Sequence, residues 1–89
     1  MQATDLRAQY EHKRAEAIQK IRSYEDFTEN HEKFKIGDVI EFRAGYYNQN
    51  KYKSEILGFD KDGHIYLLWD TYWFGIKDDE KRKIKKVSK

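Results

Sequence analysis

The chain has 89 residues, no cysteine and no proline, and a formal charge of +2 from 18 basic and 16 acidic side chains. That length allows one small domain, which buries only about 60–65% of the surface its unfolded chain exposes. Without thiols, neither a disulfide framework nor a thiolate metal site can reinforce it.

The region from Met1 to Arg22 holds no apolar run of a secretory leader, and no stretch approaches the roughly 18 apolar residues of a membrane span. A cytoplasmic protein with no membrane segment is expected, and the absence of cysteine fits a reducing compartment. Within residues 1–26, Ala3, Leu6, Tyr10, Ala17, Ile21 and Tyr24 recur at helical spacings, with Lys13 interrupting the stripe. Ala, Gln, Glu, Lys and Arg fill the remaining positions and propagate helices well. The pattern predicts a helix from Thr4 to Tyr24, with Thr4 and Asp5 at its start. So narrow a stripe cannot form a core alone. It has to pack on the rest of the chain, pair with a second copy, or fray.

Residues 27–33 read as a semi-ordered connector. From Phe34 the period changes to two, and residues 34–89 read as a β module with a basic C-terminal tail. Val39 to Arg43 forms the first strand, with Ile40 and Phe42 on one face. The segment from Ala44 to Asn50, rich in turn formers, is a long loop. Lys51 to Phe59 is the second strand, and Gly58 marks a bulge or bend. Asp62-Gly63 is a tight-hairpin pair. His64 to Trp69 and Thr71 to Ile76 follow as strands. Lys83 to Val87 ends the series, either with a bulge or after a single helical turn.

Twelve of the 14 aromatic residues lie at or beyond Phe27. Phe42, Phe59, Leu67 and Phe74 are assigned to the core. Strand parity sets Tyr66 and Leu68 opposite Leu67 and Trp69, and Trp73 opposite Tyr72 and Phe74. Both faces cannot lie inside one small barrel, so some of Tyr66, Leu68 and Trp73 have to meet the helix, a partner or solvent. Docking of the helix through Leu6, Tyr10 and Ile21 is the plainest way to cover them.

Five short strands, one long first loop and a tight hairpin predict an α+β, mainly β fold: an N-terminal helix packed on or beside a five-stranded antiparallel barrel. The stretch Phe34-Lys35-Ile36-Gly37-Asp38-Val39-Ile40-Glu41-Phe42 resembles the opening strand of SH3-like barrels of the KOW and Tudor-like type, over residues 34–88. Members of that group bind peptides, RNA, DNA or partner proteins, so the resemblance implies a fold more than a function. The Ala-Leu-Tyr-Asp-Tyr run of signalling SH3 domains is missing. In size and style the chain also looks like a phage or mobile-element accessory protein.

Reactive groups do not converge along the sequence. His12, His31 and His64 fall in separate segments, and His12 with Glu16 makes an exposed helical pair rather than a metal site. No phosphate loop, HExxH, GxSxG or cysteine nucleophile occurs. Neither catalysis nor a cofactor or metal is expected. Tyr46 and Tyr47 stand side by side in the loop, where both cannot point inward, and Lys51 and Lys53 follow them. Residues 77–89 carry seven basic and three acidic side chains, with the patch Lys81, Arg82, Lys83, Lys85 and Lys86.

These features predict a non-catalytic binding module that engages another protein through Tyr46, Tyr47, Tyr66, Trp73, Lys51 and Lys53. A phage-type modulator of a host or defence complex is one form it could take. The alternative is a barrel that binds single-stranded or structured RNA or DNA with the same rings and the basic tail. Either a monomer or a helix-mediated homodimer fits the stripe.

Overall fold

The computed structural model describes residues 3–69 and 72–87, without the side chains of residues 3–6, 48, 72 and 73. One helix, α1 (Ala3–Arg22), precedes six strands: β1 (Phe27–Thr28), β2 (Val39–Ala44), β3 (Asn50–Asp60), β4 (His64–Trp69), β5 (Tyr72–Lys77) and β6 (Lys85–Lys86). Short 3-10 turns cover Tyr46–Asn48 and Glu80–Arg82. The fold is therefore α+β and mainly β. The helix α1 is not apolar enough to cross a membrane.

All strand pairs are antiparallel, in the order β5-β4-β3-β2-β6, with β1 added separately to β3. This corrects the expected five-stranded barrel, because the sheet has six strands and is not closed. The extra strand comes from the connector. Partner β2 accompanies β3 only from Asn50 to Glu55, and β1 then takes the vacated edge at Phe59 and Asp60. Residues 27–33 thus contribute to the sheet.

Alternation in β2 appears directly as burial, with Ile40, Phe42 and Ala44 buried and Val39, Glu41 and Arg43 half-buried. Between Ile56↔Leu67 and Gly58↔Tyr66 the β3–β4 register shifts by one residue, the bulge foreseen near Gly58. The shift sends Ile56 and Phe59, three residues apart, into the same core, while Leu57 faces the opposite way. Each fully buried side chain of this size contributes about 1.5–3 kcal/mol, so a one-residue slip here would be costly.

Two clusters result. The larger joins Phe34, Ile40, Phe42, Ile56, Phe59, Ile65, Leu67 and Ile76, with Phe74 packed against it half-buried. The smaller lies under α1, where Ala17 and Ile21 meet Leu57 and Leu68, flanked by Ile18, Phe27 and Tyr66. The helix therefore packs on the second face, one of the three outcomes parity allowed, with only part of the expected contact set. Ile21 is buried as foreseen; Tyr10 is exposed, and the side chain of Leu6 lies outside the described residues. In their place Arg14 forms a two-pronged ion pair with Glu55, Nε to Oε1 at 2.8 Å and Nη2 to Oε2 at 2.6 Å. That bond raises the Arg14 pKa, against a smaller opposing effect of burial.

A Cβ on Gly58 would stand 2.8 Å from Ile21 Cγ2 and 2.9 Å from the Phe27 ring, so glycine is what lets the helix approach. With Arg14 on Glu55 and Ile21 on Gly58, α1 runs beside β3 in the same sense. Its first half heads toward the Asn50 end, and residues 7–13 are exposed on every side.

Candidate functional site

The β2–β3 hairpin ends at the pair Ala44↔Asn50, leaving residues 45–49 as its tip. Gly45 adopts φ +87°, and a Cβ there would meet Asn50 Nδ2 at 2.7 Å. Tyr47 also enters the left-handed region, at φ 57°, which costs a non-glycine residue about 1 kcal/mol. The backbone amide of Gln49 donates to the Tyr46 carbonyl at 3.3 Å, and Arg43 Nη1 donates to the Gln49 carbonyl at 3.3 Å. The tip so formed throws both tyrosines outward, Tyr46 81% and Tyr47 77% exposed. Their rings contact edge to face at 4.5 Å between centroids. Backbone strain of this kind concentrates at functional positions.

Directly below the tip, one sheet face is cationic. Register places Arg43 opposite Lys51, and Glu41 opposite both Lys53 and Lys85, so all five side chains leave on the same side. Glu41 is largely covered, with Lys51 Nζ at 3.8 Å and Lys85 Nζ at 3.5 Å from its Oε2. That carboxylate is shared by Lys51 and Lys85, and Arg43 and Lys53 stand on the same face. The next acid on that face, Glu55, is engaged by Arg14.

Of the other expected residues, Tyr66 and most of the basic tail do not join this surface. Tyr66 is half-buried at the edge of the helix-side cluster, edge to face with Tyr24 at 5.6 Å, and its ring covers Gly75. Trp73 sits in β5 opposite Leu68, but its side chain lies outside the described residues. The basic tail is divided rather than continuous. Arg82 is half-buried and donates to the Arg43 carbonyl at 3.4 Å. Its amide is capped by Asp79, and Lys83 takes the left-handed conformation that ends the 3-10 turn. Lys86 pairs with Asp38 at 3.6 Å. Lys81 and Lys83 are exposed, and only Lys85 reaches the cationic face.

Arg43 was not anticipated. Its outward parity in β2 was legible, but its place opposite Lys51 follows only from the hairpin register.

A second constellation occupies the far end of β3. The buried Asp60 carboxylate accepts from the amides of Asp62 (3.0 Å) and His64 (2.9 Å) through Oδ1. Its Oδ2 accepts from the Tyr66 hydroxyl at 2.8 Å and lies 3.1 Å from His64 Nδ1. Burial pushes the Asp60 pKa up. The His64 amide, the Tyr66 hydroxyl, the His64 charge and the Asp62 amide together outweigh it and hold the pKa below its ordinary value. Burial, followed by the Asp60 bond, raises the Tyr66 pKa. Asp26, Asp60 and Asp62 bring carboxylate oxygens within 4.8 Å of one another, but Asp60 is already saturated. Asp60 and Asp62 border an open cleft of about 880 Å³ between residues 28–33, the 60–63 turn and Lys77–Asp78. The cleft mixes acids and bases without a converging set. The pair His12–Glu16, 2.6 Å apart, lies in solvent on the helix.

No protein-family model matches the chain, and no curated protein or solved structure matches it. Its function has to be read from these surfaces.

Proposed function

We propose that the protein is a non-catalytic binding module that grips a macromolecular partner with the β2–β3 hairpin. Tyr46 and Tyr47 act as anchors, and Arg43, Lys51, Lys53 and Lys85 supply charge. The observation that carries this reading is the held-out tyrosine pair: a left-handed Tyr47 and a sterically required Gly45 keep two rings in water at the end of a rigid ladder. Folding alone gains nothing from that exposure. Aromatic rings on rigid supports are the usual anchors of interfaces.

A non-catalytic role is supported by the local duties of the Asp60–His64–Tyr66 group, whose contacts hold a hairpin turn. The strand order supports kinship with SH3-like folds at the level of topology: a meander from β2 to β5, a 3-10 turn, and a last strand returning beside β2. Tyr66 is left out of the contact surface because its hydroxyl and ring are engaged internally.

The test is capture from cell extract, reading both protein and nucleic acid, with the wild type, Tyr46→Ala/Tyr47→Ala and Tyr10→Ala. The reading expects recovered material to be lost with the double variant and kept with Tyr10→Ala. Equal recovery by all three chains would remove the hairpin from the account.

A further inference from the structure

Resting on that reading of the hairpin, we infer that the partner is an unpaired stretch of nucleic acid, laid along the β2–β3–β6 face with bases stacked at Tyr46 and Tyr47. Three observations select this occupant. The first is the absence of an apolar core around the rings. Among the described residues the large exposed hydrophobics are Tyr10, Tyr46, Tyr47 and Val87. Tyr10 belongs to the helix, and Val87 bonds to Val39 beyond the far end of the ladder. Around the tyrosines stand Gly45, Gln49, Asn50, Arg43 and Lys51. A protein interface needs about 800 Å² per partner around an apolar centre, which two rings in a polar setting do not provide. Stacking of a flat base needs only the ring.

Charge is the second observation. Arg43, Lys51, Lys53 and Lys85 share one face with Glu41, and the next acid along it, Glu55, is already paired with Arg14. Lys51 and Lys53 are spaced by about 6.6 Å along the strand, a repeat that an extended sugar–phosphate chain can follow. Placement is the third. The cations form a narrow strip that ends at the rings, so a strand held by its phosphates delivers its bases to the tip. A duplex offers phosphates but no free base faces.

The test is titration of a labelled single strand about 12 nucleotides long, as RNA and as DNA, against the full chain. A duplex of the same length, heparin and poly-glutamate serve as comparisons. With three or four phosphates neutralised, affinity for the single strand should fall about 20- to 50-fold between about 50 and 200 mM salt. Tyr46→Ala/Tyr47→Ala should weaken binding about tenfold or more, and Lys51→Glu/Lys53→Glu should weaken it and flatten the salt dependence. Tyr47→Asn removes a ring while relieving the left-handed backbone. It should lose affinity without losing thermal stability, separating contact from fold.

No binding of either strand at low salt overturns the inference. So does binding that heparin matches and the tyrosine variants leave intact, which is polyelectrolyte attraction only. If oligonucleotides fail but a protein is captured in a tyrosine-dependent way, the nucleic-acid inference falls and the hairpin reading stands. If neither occurs, both fall.

Discussion

At the scale of single residues, Asp60 shows how one carboxylate can hold a turn together. It is buried, and both oxygens are engaged by partners no more than six positions away. Hydrogen bonds to a charged group contribute about 1.5–3 kcal/mol each when a partner would otherwise be left unsatisfied. Asp60→Asn keeps the shape but turns an acceptor into a donor facing Tyr66 or an amide. It should cost about 2 kcal/mol in urea unfolding near neutral pH. Because the folded-state pKa of Asp60 is lowered, its ionisation adds stability above the unfolded value of about 3.9. That stability is lost as pH falls through the folded value. The difference between wild type and Asp60→Asn should therefore shrink between about pH 5 and pH 2. A difference that stayed constant over that range would assign the effect to shape rather than charge.

At the scale of elements, the joint between α1 and β3 decides whether both sheet faces are dry. It rests on Ala17 and Ile21 under the helix, the Arg14–Glu55 pair at its rim, and the missing side chain of Gly58. Adding one methyl group as Gly58→Ala places it against Ile21 and the Phe27 ring, and overpacking of this kind costs about 1–3 kcal/mol. Ile21→Ala should cost about 2–5 kcal/mol by leaving a cavity. The two variants disturb one joint, so in combination they should fall short of the sum of their separate losses. Strict additivity in denaturant unfolding would show that the glycine and the isoleucine act independently.

The same joint shows what could be read from the chain beforehand. Parity in β4 sent Tyr66 and Leu68 toward the helix, a partner or solvent, and the helix was the plainest of the three. Which turn of the helix provides that cover depended on the bulge at Leu57 and on the Arg14–Glu55 bond. Gly58 signalled the bulge, but the register it sets and the ion pair are long-range facts that no local pattern encodes. The connector was misread for a similar reason. Phe27 and Thr28 look like an isolated apolar pair until β3 proves long enough to need a second partner on one edge.

For the whole molecule, two ends with different work emerge. One end of β3 carries the Asp60 turn, β1 and the mixed cleft, and both Asp60 oxygens are engaged. The other end carries the strained hairpin, its two exposed rings and the cationic strip. The tyrosines were visible in the sequence as a pair that could not both turn inward, and Lys51 and Lys53 as their neighbours. The basic tail looked like a single patch but is divided by folding: Arg82 braces β2, Lys86 meets Asp38, and Lys85 alone crosses to the strip. Position in three dimensions, rather than position in the run, decides which cations act together.

The hairpin surface is tested by a backbone amide chemical-shift map of the full chain on addition of an unpaired oligonucleotide about 12 nucleotides long. The largest changes are expected at residues 43–53 and at Lys85, with residues 60–64 and the helix from Arg14 to Arg22 nearly unmoved. Changes centred on the 28–33 and 60–63 cleft, or on the helix, with the hairpin silent, would contradict the hairpin reading.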